Sequence, residues 1–437
     1  MNRFIQSSIL LLSAIVGSVI MSCRSGETEK TSSVDHEPKA KVYTNARLVQ
    51  VDSIMIDAVG NFRIYDYQPE SGLFLGGDVK YFISFAGKPG PKSNELGFLV
   101  INRQGEIIHQ FNNTKGGPNG HGSAMQSAFF MGPDAMGVLG RIGFYKYNLE
   151  GELIRRYKDI NYREIFAVSR LRAGFSRDGN RLVLQLPKSL TDAKAAYSDS
   201  IFQLVKPLKI YDLNNDQPHV PVYELGYPDD PQRNFNLGAA SVPFMAMSSS
   251  DSLLYTLYPM TREILAFDLQ SCKVTKKIPL NPDKFGGYEV LKELSQGQRS
   301  RNWLNAGARV AMSRYHDMIQ LGEYTLLRYS PPVPESAVRL LMTTKGLNND
   351  PNWLRIRRKH YQFHYQLFKD GKKVLPDFEL PTLRPDEQHQ EFFTSTLTRG
   401  KIIGGNGLDE IYVFIPNDGE QERDYELIRV FKLELLE

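Results

Sequence analysis

A short phrase recurs in this chain and limits what it can fold into. Leu99-Val-Ile-Asn-Arg-Gln-Gly-Glu-Ile-Ile108 reads as strand, tight turn, strand. Phe144-Tyr-Lys-Tyr-Asn-Leu-Glu-Gly-Glu-Leu-Ile154 repeats it, with Gly105 and Gly151 in equivalent places 46 residues apart. Glycine suits the turn position because it adopts positive φ without steric cost, and the flanks are β-branched or aromatic. Looser copies follow. Lys209-Ile-Tyr-Asp-Leu-Asn-Asn-Asp216 and Leu265-Ala-Phe-Asp-Leu-Gln-Ser271 end strands at the same Asp-Leu turn entry. Further hairpins are read at Phe175–Leu184 and Gln366–Leu375, and strands at Asp409–Ile415 and Tyr425–Leu435.

Hairpins at intervals of roughly 45–60 residues, with few convincing helices, fit the blades of an all-β propeller. A four-stranded blade cannot bury both faces alone, and stacking blades around an axis supplies the missing partners. Turns every few residues also fit a pair of β-sandwiches; the repeated order of strand, turn and Gly-Glu favours the propeller. The expected blades are 60–115, 120–163, 166–227, 240–282, 314–382 and 395–437, with Asn45–Asp57 adding a strand to the last one. Six blades are expected, and seven is the alternative. A partly helical insertion is expected near 286–320, from Val290–Leu294 and Trp303–Met312.

The N-terminus carries an address. Arg3 precedes an apolar run from Ile9 to Met21, and Ile20-Met21-Ser22-Cys23 sits where a signal peptidase would cut. The run is shorter than the roughly 20 apolar residues of a comfortable bilayer span and fits a secretory signal. The last four residues resemble a lipobox, so Cys23 is the expected lipid-attachment site, carrying palmitate or a related chain. An ordinary signal peptide and an uncleaved anchor helix are the alternatives. The expected organisation is a signal at 1–22, a polar tether at 23–41 that is too poor in apolar residues to bury itself, and one propeller at 42–437.

The chain has two cysteines. With Cys23 acylated, Cys272 has no disulfide partner, and its place in Phe267–Val274 reads as a turn. Lys and Arg number 53 against 49 Asp and Glu, a net +4; this balance gives no argument for nucleic acid as a partner.

Lipobox, polar tether and a six-bladed, TolB-like propeller together resemble a family of lipoproteins of unknown function found in Bacteroidota. Lys115-Gly-Gly-Pro-Asn-Gly120 resembles a Gly-Pro loop common in that family. Ser176-Arg-Asp-Gly-Asn-Arg-Leu182 is similar to the turns of TolB-type propellers, with Arg177 in place of Pro. The resemblance implies no reaction and no catalytic residues.

Gly116–Gly122 and Gly404–Gly407 lack the Gly-Lys-Ser/Thr ending of a phosphate cradle. His360 and His364 have a helical chelate spacing, but Lys359–Leu367 alternates as a strand, on which four residues span roughly 13 Å, too far for one zinc ion. Arg355, Arg357, Arg358 and Lys359 read as a solvated face, with an acidic ligand as the alternative. Gly174-Phe-Ser-Arg-Asp178 lacks the final Gly of a nucleophile elbow. No catalytic residue, cofactor site or metal site is therefore expected. Asp52-Ser-Ile54, Asp199-Ser-Ile201 and Asp251-Ser-Leu253 resemble O-glycosylation acceptors of Bacteroidota and also suit turns.

The expected function is a membrane-anchored envelope lipoprotein, most simply on the periplasmic face of the outer membrane rather than the cell surface. Its propeller would be a non-enzymatic scaffold binding a protein or a glycan. The alternative is a propeller hydrolase or lyase acting on sugars or lactones in the central funnel, an analogy from fold alone.

Overall fold

In the computed structural model, Val42–Glu437 form one compact unit. The structure describes residues 43–58, 62–78, 97–113, 120–121, 125–140, 143–158, 160, 173–176, 179–185, 206–226, 243–247, 253–287, 313–337, 363–380, 401–415 and 425–437. These hold six four-stranded antiparallel sheets, the blades of a six-bladed β-propeller.

The chain begins with β1 (Asn45–Ile56), set aside for the last blade. Blade I is β2 (Phe62–Gln68), β3 (Leu73–Asp78), β4 (Phe98–Ile101) and β5 (Ile107–Phe111). Blade II is β6 (Met125–Phe130), β7 (Ala135–Gly140), β8 (Gly143–Asn148) and β9 (Leu153–Tyr157). Blade III is β10 (Ala173–Phe175), β11 (Arg181–Gln185), β12 (Leu208–Asp212) and β13 (Pro221–Leu225). Blade IV is β14 (Phe244–Met247), β15 (Leu253–Leu257), β16 (Glu263–Asp268) and β17 (Lys273–Pro279). Blade V is β18 (Arg314–Leu321), β19 (Tyr324–Ser330), β20 (His364–Lys369) and β21 (Lys372–Lys373). Blade VI is β22 (Lys401–Gly405), β23 (Ile411–Ile415) and β24 (Glu426–Leu436), completed by β1. The expected N-terminal strand thus pairs with the C-terminal one, from Asn45 opposite Leu436 to Ile56 opposite Glu426.

First strands of successive blades lie against one another from β2 through β6, β10, β14, β18 and β22 and back to β2, which closes the ring. Middle strands are buried on both faces, so β4, β7 and β23 are apolar or small throughout. One apolar cluster fills each junction: Val100 with Val138, Leu139 with Leu182, Val183 with Phe267, Leu257 with Leu327, Leu367 with Val413, and Phe74 with Tyr412. Each large buried side chain contributes about 1.5–3 kcal/mol, so stability resides between blades rather than within them.

The recurring sequence phrase is the turn between third and fourth strands. The Asn102 side-chain oxygen accepts the amides of Gln104 and Glu106, and Asn148 accepts that of Glu152. Asp212 and Asp268 do the same for Asn214 and Gln270. Gly105 and Gly151 have φ of 85° and 86°. They also allow a close approach: a Cβ on Gly151 would lie 2.3 Å from the Phe111 ring on the preceding blade's outer strand, and one on Gly105 would lie 2.0 Å from the Met55 carbonyl of β1.

Outermost strands carry bulges. Val51, Ile108, Ile154 and Val222 are the extra residues on β1, β5, β9 and β13, and all four are exposed. A bulge twists an edge away from pairing with another chain, which protects the rim of the ring.

Residues 288–312, which include both expected helices, lie outside the described residues. Arg314–Leu321, where the expected mixed stretch to residue 320 overlaps the expected blade 314–382, is a strand and the innermost of blade V.

Candidate functional site

The two ends of the ring differ. Turns from first to second and third to fourth strand share one end, and none exceeds the length of 213–220. Connections from second to third strand and from blade to blade share the other end. The three longest, 280–313, 331–363 and 374–400, all enter, interrupt or leave blade V. Long connections held by a rigid scaffold are where propellers and other folds place binding residues. Blade V therefore carries the candidate site, and its two faces differ in chemistry at this end.

The face toward blade IV is a saturated polar network. Asp377, just beyond β21, accepts four donors. Gln366 Nε2 at 2.9 Å and Lys373 Nζ at 2.5 Å reach Oδ1; the Tyr329 hydroxyl at 2.5 Å and the Asp283 amide at 2.8 Å reach Oδ2. The Tyr315 hydroxyl donates to Gln366 Oε1 at 2.9 Å. Burial opposes ionisation of Asp377, but the bonds from Lys373, Tyr329, Asp283 and Gln366 outweigh it and hold the carboxyl below its usual range. Burial and the nearby Asp377 push the Tyr315 and Tyr329 phenols upward, so both stay protonated. Phe285, Tyr315, Tyr329 and His364 form a continuous ring stack with centroids 5.4–5.7 Å apart. Asp377 has no lone pair left for a ligand. Its role is to pin the connections around 283 and 377 onto the blade.

The face toward blade VI is different. β18 bulges between Tyr315, opposite Tyr329, and Asp317, opposite Arg328. His316 is the extra residue, and the bulge puts it on the same side as Asp317. His316 Nε2 lies 2.9 Å from Ser330 Oγ and 3.4 Å from Arg314 Nε. Both contacts are satisfied when Nε2 accepts, which assigns the proton to Nδ1. Arg328 is held over the Phe363 ring at 4.8 Å, and His316 meets the same ring edge-on at 5.0 Å. The ion pair from Arg328 to Asp317 is long, 3.8 Å. Arg328 Nε is buried with no hydrogen-bond partner. Arg314, His316, Asp317 and Arg328 thus share this face of the blade, with Arg328 and His316 both against the Phe363 ring.

The same bulge occurs on β2, where Tyr65 and Asp66 share a face. There Asp66 Oδ2 accepts the Phe130 amide of blade II at 2.8 Å, so in blade I the position fastens neighbouring blades. The sequence signal for this device is an extra residue that breaks strand alternation in Ile64-Tyr-Asp-Tyr67 and Tyr315-His-Asp-Met318; it is faint without the pairing register.

The residues singled out from sequence are dispersed. Cys23, Lys115–Asn119, Arg355–His360, Asp199 and Asp251 lie outside the described residues. His364 is on β20, as its alternation implied, with Nε2 3.5 Å from Glu379; burial lowers its pKa. Cys272 occupies a turn position with φ 55°, its thiol pKa raised by burial. Ser176 Oγ accepts the Arg181 amide inside a hairpin turn. Gly404 and Gly405 end β22, and Gly407 has φ 81° in the following turn. Ser53 is exposed on β1, its Oγ accepting from Gln50. Among the described residues, no three His, Cys, Asp or Glu side chains converge as a metal group, and no helix is long and apolar enough to cross a membrane.

No family model matches the chain, and no curated protein matches its sequence. Solved structures do match. The crystal structure of a member of the DUF4221 family from Bacteroides vulgatus is similar at a TM-score of 0.54 and 11% identity, covering 90% of this chain and 99% of that one. A candidate exported protein from Bacteroides fragilis is similar at a TM-score of 0.48 and 10% identity, covering 89% and 96%. At such identities the likeness shows the fold alone.

Proposed function

We propose that this protein is an envelope lipoprotein whose propeller is a binding platform for a protein or glycan partner, with Cys23 as the acylated residue. The observation that carries the reading is the asymmetry of the ring: short turns at one end, long connections gathered around blade V at the other. The chain enters the propeller at Asn45, opposite Leu436, on the short-turn end. The saturated hydrogen bonding of Asp377 supports binding rather than acid–base chemistry at this end of blade V.

Anchoring is tested by labelling with radioactive palmitate. Label should enter the wild type and be lost in Cys23→Ala; equal labelling of both would refute acylation there. Each buried acyl methylene contributes about 0.8 kcal/mol, so two or more chains hold firmly, and Cys23→Ala should release the protein from membranes. Protease treatment of intact cells decides the side: protection is expected for the periplasmic face of the outer membrane. Cross-linked pull-downs and glycan arrays test the platform. Absence of any reproducible partner in both would count against it.

A further inference from the structure

We propose that the outer rim over blades VI, I and II docks on an anionic lipid bilayer, with Lys146, Arg155, Arg156 and Lys158 of blade II meeting the headgroup phosphates. This deepens the envelope-lipoprotein reading and rests on it.

Charges on the outer two strands are matched across the sheet in three blades. Arg47 lies opposite Glu434 and pairs with it at 2.8 Å, Lys209 lies opposite Glu224 and pairs at 2.9 Å, and Lys273 lies opposite Asp268. Blade V sets Lys369 opposite Lys372, but Lys369 meets Glu323 at 2.6 Å. Blade II differs. Lys146 lies directly opposite Arg155, and like charges so placed destabilise a sheet. Among the described residues, no acidic side chain pairs with either of them, or with Arg156 or Lys158. Nearby acids are engaged: Glu152 accepts from Asn148, Glu150 lies 4.0 Å from His109, and Asp52 accepts the Ser53 amide. An external anion is the missing counter-charge.

Both guanidiniums are exposed yet held in place. Arg155 lies over the Tyr157 ring at 4.9 Å and Arg156 over the Tyr145 ring at 5.2 Å. A guanidinium resting on a ring keeps its N–H edge for an oxyanion.

Apolar side chains decide which anion. Among the described residues, the three most exposed large apolar side chains are Met55 at 61%, Ile154 at 55% and Val51 at 54%. Ile154 adjoins Arg155 on β9, and Val51 and Met55 lie on β1. Ile108, also exposed, lies on β5 between them in the ring. The close approaches of Gly105 to Met55 and of Gly151 to Phe111 join these outer strands edge to edge. An acidic glycan would satisfy the cations and leave the apolar side chains in water. A bilayer interface takes both, through buried apolar area and attraction to anionic headgroups. β1 is also the first strand after Cys23, so the proposed acylation anchors the chain at blade VI, the first blade of this rim.

The test is co-sedimentation of the compact unit Val42–Glu437 with vesicles of phosphatidylcholine alone or mixed with phosphatidylglycerol. Binding is expected to the mixed vesicles only, and to weaken with salt. Each cation near such a surface contributes about fivefold, so joint replacement of Arg155, Arg156 and Lys158 by Gln should weaken binding on the order of a hundredfold at low salt. Ile154→Ser and Met55→Ser should each weaken it severalfold. Lys273→Gln with Lys277→Gln, on blade IV across the ring from blade I, should leave it unchanged. Should the triple variant fail to fold by circular dichroism, Lys158→Gln and Ile154→Ser, both at exposed positions, supply the reading. No binding to mixed vesicles, or equal loss from the blade II and blade IV variants, would overturn the docking surface. Binding to polygalacturonate without binding to vesicles would assign the cations to an acidic glycan and overturn it too. This chain lacks Cys23, so failure here leaves acylation standing, and loss of acylation in the palmitate experiment leaves vesicle binding standing.

Discussion

The Tyr329 hydroxyl donates to Asp377 Oδ2 across 2.5 Å, joining the end of β19 to the chain that leaves β21. Replacing Asp377 by Ala removes the acceptor that Tyr329, Gln366 and the Asp283 amide share, and leaves Lys373 with only the Asn281 carbonyl and Asp283. The expected loss is about 3 kcal/mol, as for breaking a buried ionic network from one side. Asp377→Asn keeps one acceptor oxygen and should lose less, and Tyr329→Phe should cost about 1 kcal/mol. Urea unfolding of the three variants checks the order.

Gly151 and Gly179 separate two reasons for a glycine. Both have positive φ, 86° and 69°, but among the described residues a Cβ on Gly179 meets nothing within 4 Å, whereas one on Gly151 meets Phe111 at 2.3 Å. Gly179→Ala should cost about 1–2 kcal/mol, the ordinary penalty of the left-handed region. Gly151→Ala should cost clearly more, because blade II must move away from blade I. Thermal midpoints of the two variants should differ accordingly.

His121 makes stability depend on pH. Its ring lies among Phe98, Tyr145 and Tyr147, with centroids 5.6–6.3 Å away. Burial pulls its pKa down from 6.5 to about 4, against a smaller opposite pull from Asn113. The folded state therefore binds fewer protons than the unfolded chain between those values. Its contribution is fully present above pH 6.5 and is lost as pH falls toward 4, by about 3 kcal/mol in all. His121→Phe should flatten the pH dependence of the urea midpoint over this window.

The closing strand is the remaining test of the ring. Removing residues 1–56 deletes β1, exposes the edge of β24 and strips Ile54 and Ile56 from the junction of blades VI and I. Loss of a single cooperative unfolding transition is expected, together with self-association through the open edge on size-exclusion chromatography.

Much of the fold was legible because its signals are local. The turns at Asn102 and Asn148 need only their own side-chain oxygens, the next few amides and a glycine, so they recur visibly in sequence. The apolar runs of β4 and β23 announce strands buried on both faces. The candidate site was not legible for the opposite reason. Asp377 meets Tyr329 and Asp283 across 48 and 94 residues, and neither carboxylate nor phenol carries a sign of the other. Arg314-Tyr-His-Asp-Met318 reads as mixed text because a bulge breaks the alternation that would mark it as a strand. The run Arg355–Lys359, by contrast, is conspicuous in sequence only because its charges are adjacent in the chain.

By itself, the sequence determined an all-β chain of repeated hairpins, the Asn-x-x-Gly turns and the strand that closes the ring, since each follows from backbone and side-chain chemistry over a few residues. Tertiary structure alone decided that Asp377 gathers donors from β19, β20 and the connection around 283, and that the bulge on β18 brings His316 and Asp317 to one face. Those properties depend on which side chains the sheet register and the neighbouring blade bring within hydrogen-bond distance, and that register is set by contacts far apart in the chain.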